Sequence, residues 1–93
     1  MPGKYQRVDR VVTREIAGET LLVPIRDNAA QLHHIFVLNP VANHIWNALA
    51  DAASVEQLVA SVCATFAVDE VQAERDVTAF LDELREADLV SEG

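Results

Sequence analysis

The stretch Phe36-Val37-Leu38-Asn39-Pro40-Val41-Ala42-Asn43-His44-Ile45-Trp46 constrains the fold more than any other part of the chain. It reads as a short apolar strand that stops abruptly at a helix. Asn39 suits the N-cap, where its side-chain oxygen accepts from an otherwise unpaired backbone N–H. Pro40 then takes the first helical position, where a missing N–H costs nothing and the fixed φ fits the turn. Val41, Ala42, Ile45, Trp46 and Leu49 follow at helical spacing. The strand before them, Ile35-Phe36-Val37-Leu38, has no polar alternation, so both of its faces want cover.

The chain has 93 residues, enough for one domain with one modest core. A domain of this size buries roughly 60–65% of the surface its unfolded form exposes. An apolar fraction of 51% argues against disorder. No apolar run approaches the roughly 20 residues of a bilayer-spanning helix. The N-terminal MPGKYQRVDR has no apolar segment behind its basic residues, so no signal peptide is expected. The lone Cys63 cannot form an internal disulfide, and a reducing cytoplasm is the simplest expectation.

Residues 1–10 read as a flexible arm, and residues 11–90 as a single domain. Val11 to Ile16 has the β-branched content of a strand. Ala17-Gly18-Glu19 suits a tight turn, and Thr20 to Ile25 the returning strand. Pro24 requires that its site face an edge or a bulge. Asp27 to Gln31 is a polar loop, and a third strand is expected over about 32–38. Three helices follow. The first covers Pro40 to Ala50. The second, capped by Ser54, carries the stripe Val55, Leu58, Val59, Val62, Cys63 and Phe66. The third, capped by Asp69, runs to about Ala87 with the stripe Ala73, Val77, Phe80, Leu81 and Leu84. Asp88 is placed to end it in a left-handed conformation, and Leu89-Val90 to fold back onto the core. The expected fold is α+β: an N-terminal three-stranded antiparallel sheet followed by three helices, the layout of a winged helix-turn-helix with its strands first.

Chemistry-bearing constellations are sparse. His33 and His34 are adjacent on a strand and point to opposite faces, so a regular strand cannot bring both to one ion. Cys63 falls on an apolar stripe, where a thiol is inert. No Gly-rich phosphate loop is available in a chain with three glycines. Neither a cofactor nor a catalytic set is expected. Charge weighs against nucleic acid as well. Residues 1–30 hold five cations against four acids, +1, whereas residues 31–93 hold two against eleven, −9, for a total of −8. The third helix would have to enter a DNA groove. It and its cap carry Asp69, Glu70, Glu74, Asp76, Asp82, Glu83 and Glu86 against Arg75 and Arg85, a face that repels phosphate.

Peptide binding remains. An open sheet edge carries unpaired N–H and C=O groups that invite another strand. The third strand is unusually apolar for such an edge, and the third helix would form the other wall of a groove. Ile35, Phe36, Val37 and Leu38 are the expected edge. Val77, Phe80, Leu81 and Leu84 exceed what a one-sided helix needs for packing, so some of them are expected on the wall. The plainer alternative places all four in the core, and it is the better reading of Leu81 and Leu84. About four or five net hydrogen bonds near 1 kcal/mol each, with about two or three filled apolar pockets at 1.5–3 kcal/mol each, are consistent with micromolar affinity. A domain that pairs with itself along this strand, as a weak dimer, is the competing expectation to a monomer.

The run Phe36-Val37-Leu38-Asn39-Pro40 through Ile45-Trp46 resembles PqqD-like proteins. So do Val55…Leu58, Phe66 to Asp69, and Asp76-Val77…Phe80-Leu81…Leu84…Leu89, with Gly18 to Ile25 upstream. The resemblance covers about residues 10–90 and rests on the order and spacing of these motifs together. It is closer to the broad PqqD-like group than to the pyrroloquinoline quinone pathway member. It implies a RiPP recognition element, a non-catalytic adaptor that binds the leader of a ribosomally made precursor peptide as an added strand. Such a domain presents the precursor to a modifying enzyme, often a radical SAM protein. A leader peptidase of the lasso-peptide type is the other partner considered. Two departures stand out: Asp51-Ala52-Ala53-Ser54 replaces the usual Asp-Gly before the second cap, and Asp88 stands where Gly is common.

Overall fold

Three polar residues set the helix starts. Asn39 Oδ1 accepts from the Ala42 N–H at 2.8 Å, and Asp69 Oδ1 from the Gln72 N–H at 2.7 Å. Ser54 and Gln57 form a reciprocal capping box: Ser54 Oγ accepts from the Gln57 N–H, and Gln57 Oε1 from the Ser54 N–H. The computed structural model, which describes residues 3–8, 11–24 and 36–92, shows the resulting helices as α1 (Pro40–Ala48), α2 (Val55–Thr65) and α3 (Glu70–Glu86). The end of α3 follows expectation. Asp88 has φ 59°, Leu89 N–H donates to the Leu84 carbonyl at 2.8 Å, and Asp88 N–H to that of Arg85 at 3.1 Å. This paired closure satisfies two end carbonyls and turns Leu89 and Val90 into the core.

Among the described residues six strands, β1 (Lys4–Arg7), β2 (Val11–Ile16), β3 (Glu19–Pro24), β4 (Phe36–Leu38), β5 (Ala53–Ser54) and β6 (Val90–Glu92), form two antiparallel sheets. Their orders are β2-β3-β4 and β5-β1-β6. In the first sheet Ile16 pairs with Glu19 across Ala17 (φ 54°) and Gly18 (φ 82°). Two successive left-handed residues give the turn twist that matches a two-residue hairpin. Pro24 closes β3 opposite Val11, at the end of the ladder. Ile25, the 27–31 loop, and the 32–35 portion expected of the third strand lie outside the described residues.

The second sheet corrects two expectations. The sheet structure is not confined to a single N-terminal sheet preceding the helices, and residues 4–7 are not a free arm. Lys-Tyr-Gln-Arg has one apolar residue, too little for a strand signature, yet β1 is central in its sheet. Tertiary contacts account for this. Arg7 N–H donates to the Leu49 carbonyl and Val8 N–H to that of Leu89, each at 3.0 Å. Gln6 Nε2 reaches the Ala50 carbonyl at 3.4 Å, and an Arg7 guanidinium N–H the Trp46 carbonyl at 3.3 Å. The strand thus donates to the Leu49 and Ala50 carbonyls just past the end of α1 and adds a second donor to the Trp46 carbonyl, which also accepts from the Leu49 N–H. The Ala52-Ala53 departure is also resolved. Neither residue takes positive φ, and Ala53 pairs with Tyr5 as part of β5.

The core gathers Leu22 and Leu38 from the first sheet with Ile45, Trp46 and Leu49 around α1. Leu58, Val59 and Val62 of α2, Ala73, Val77, Phe80, Leu81 and Leu84 of α3, and Ala53, Leu89 and Val90 join them. Burial of each large aliphatic side chain contributes about 1.5–3 kcal/mol. His44 and Ser61 tie α1 to α2 through an Nε2–Oγ hydrogen bond of 2.7 Å, and the His44 ring meets Phe66 edge-on. Trp46 is fully enclosed, with the Arg7 guanidinium 5.3 Å from its ring centroid. Its indole N–H has no hydrogen-bond partner among the described residues.

Candidate functional site

Strand β4 pairs with β3 through Leu22–Phe36, Leu21–Val37 and Thr20–Leu38, and it ends the order of its sheet. Its other edge is therefore unpaired among the described residues. Side chains alternate across the sheet. Leu38 is buried and Phe36 half-buried on the core side, whereas Val37 stands 61% exposed on the other. An apolar edge left in this state is uncommon, since strand edges are usually blunted by charge or proline.

Beside β4 a cleft of about 270 Å³ opens between the strand, α1 and α3. Its strand side is Phe36, Val37 and Leu38. Val41, Ala42 and Ile45 contribute from α1, and Asp76, Ala79, Phe80 and Glu83 from α3. The volume suits one or two inserted side chains better than a drug-sized ligand. The α3 residues recur at i, i+3, i+4 and i+7, one stripe of a helix. Small Ala79 keeps the middle of that stripe open, and Phe80 supplies its apolar wall.

Of the expected site residues, the structure brings Phe36, Val37, Leu38 and Phe80 to this cleft. Val77, Leu81 and Leu84, at 0, 3 and 0% exposure, do not reach it. They form the neighbouring stripe of α3, which is closed into the core. Leu81 and Leu84 lie in the core, where the plainer alternative put them, and Val77, expected on the wall with Phe80, lies there too. Ile35 lies outside the described residues. The α1 contribution and the flanking Asp76, Ala79 and Glu83 were missed by sequence reasoning. A signal was present: the stripe of α3 adjacent to its apolar one holds a small residue between two acids.

A second cleft, about 410 Å³, lies between α2 and α3, lined by Val55, Val59, Ala60 and Cys63 with Glu56, Glu70 and Glu74. Cys63 is thus half-buried at a cleft rather than enclosed in the core. Among the described residues no group of three or more His, Cys, Asp or Glu could hold a metal ion, and no helix is long and apolar enough to cross a membrane. His33 and His34 lie outside them.

These features define a small α+β domain that presents a strand edge, unpaired among the described residues, beside a cleft with apolar walls and two acidic residues. The chain belongs to the PqqD family: the model for Coenzyme PQQ synthesis protein D (PqqD) matches residues 19–90. It is also similar to the solved structure of TbiB1 in complex with the TbiA(beta) leader peptide, at 30% identity and a TM-score of 0.72. That match covers 92% of this chain and 94% of TbiB1. No curated protein matches the chain significantly.

Proposed function

We propose that this domain is a non-catalytic adaptor that captures the leader of a ribosomally synthesised precursor peptide by strand addition to β4. The observation that carries the reading is the apolar edge Phe36–Leu38, unpaired among the described residues, beside the cleft that α3 borders. Similarity to a protein solved with a leader peptide supports it, as does membership of the PqqD family. The leader would extend the β2-β3-β4 sheet, with alternate side chains entering the cleft between Phe36, Ala42, Ala79 and Phe80. Ile35 is proposed to continue the edge. The hairpin of β2 and β3 beside three helices corresponds, on this reading, to a winged helix-turn-helix put to peptide rather than DNA use. The captured precursor is presented in the cytoplasm to a modifying enzyme. A radical SAM protein is the partner class the family suggests, and a leader peptidase the alternative.

The test is titration with a precursor peptide encoded beside the gene, followed by amide NMR. Signals of residues 36–38 and of Ala79 and Phe80 should move. Val37→Pro removes a strand N–H and should abolish binding while far-UV circular dichroism still reports the helices. Ala79→Leu leaves the core untouched but fills the cleft, and should weaken binding at least about tenfold, the effect of one displaced side chain. Unmoved amides at 36–38 would remove the groove from consideration. Exposed Val37 on a free edge also favours self-pairing, and sedimentation separates the two readings: a dimer sealed along β4 would give way to peptide.

A further inference from the structure

Among the described residues lining the cleft, the charged side chains are Asp76 and Glu83, both acidic, and no cation is present. Asp76 is half-buried, and its Oδ1 accepts from Gln72 Nε2 at 2.9 Å, leaving Oδ2 to accept from a ligand. The nearby ion pair, Arg85 with Asp82 at 4.0 Å, uses other residues of α3. From these observations we infer that the groove selects a basic-apolar leader, in which Lys or Arg side chains flank the apolar residues inserted beside Ala79 and Phe80. The inference rests on the strand-addition reading.

Helix geometry sets the spacing. Residues seven apart on α3 are separated by about 10.5 Å along its axis, too far for one ammonium to serve both carboxylates. Two cations are required. On an added strand, residues of one face recur about every 6.6 Å, so the cations fall two or four positions apart. The flexible stems of Lys and Arg absorb the remaining few ångströms and cover the apolar floor as they pass. The acidic field of residues 31–93, with net charge −9 from two cations and eleven acids, draws such a segment inward before contact. A neutral or acidic leader would leave the half-buried Asp76 carboxylate further desolvated with the neutral Gln72 amide, and no cation, to compensate its charge.

Panning the full chain against short randomised peptides displayed on phage tests this directly. The wild type should enrich sequences with Lys or Arg two or four positions apart, bracketing apolar residues. The double variant Asp76→Asn/Glu83→Gln should lose that basic preference. Selected peptides should bind it about two- to fivefold more weakly per carboxylate. Glu86→Gln removes the same charge from α3 outside the cleft and should leave selection unchanged. Enriched sequences without a basic preference, yet blocked by Ala79→Leu, overturn this inference and leave the groove standing. Enrichment unaffected by Ala79→Leu, or no enrichment above that variant, overturns the groove itself and this inference with it.

Discussion

Trp46 is fully enclosed, with an indole N–H that is unpaired among the described residues and an arginine over its ring. An unsatisfied buried donor costs about 1–3 kcal/mol, so the indole is retained for its area and for the Arg7 contact despite that cost. The two halves of the side chain separate by substitution. Trp46→Ala should destabilise by about 3–5 kcal/mol through the cavity it leaves. Trp46→Phe gives up part of the area but removes the orphaned donor, and should cost about 1 kcal/mol or less. Urea unfolding followed by circular dichroism decides, since the single tryptophan is the fluorophore being removed. Equal losses in the two variants would show that the N–H finds a partner. Asp88 carries backbone strain as well, since its φ of 59° is disfavoured for an L side chain. Asp88→Gly should stabilise by up to about 1 kcal/mol, because relief of about 1–2 kcal/mol of left-handed strain exceeds the unfolded-chain entropy that Gly adds, and Asp88→Ala should not, as read from the same unfolding curves.

Helix α3 shows how far a pattern can be read. Its start at Asp69, its end at Asp88 and its core stripe were all legible, because caps and 3.6-residue periodicity are local properties. The difference between its two faces was not. Val77, Leu81 and Leu84 look like Phe80 in the sequence, yet the first three meet the core and only Phe80 borders the cleft. What decides is which neighbour each stripe meets, a tertiary fact with no local signature. For the same reason the α1 residues Val41, Ala42 and Ile45 were legible as helical but not as the opposite wall. Strand β4 was legible in place and character, from the apolar run ahead of Asn39-Pro40. Strand β1 was not, because its pairing rests on donors offered to α1 carbonyls rather than on apolar alternation.

Two sheets divide the work of the domain. The β2-β3-β4 sheet ends in the open edge, and the β5-β1-β6 sheet joins the N-terminus, the start of α2 and the chain after α3 into one closed unit. Deleting residues 1–8 removes the central strand of the second sheet, the Arg7–Trp46 stack and the donors to Leu49, Leu89 and Ala50. At about 1 kcal/mol per net hydrogen bond and about 0.5–1 kcal/mol for the cation–π contact, the loss should reach at least about 2 kcal/mol. For a domain this small, that lowers the midpoint of thermal unfolding by about 10 °C. Calorimetry of the truncated and full chains measures it, and an unchanged midpoint would return residues 4–7 to the status of a dispensable arm. Peptide affinity should survive the deletion wherever the truncated chain is still folded, because none of the deleted residues borders the cleft beside β4. If affinity falls in step with the deletion while the helices hold, β1 contributes to capture directly, and the division of labour between the two sheets fails.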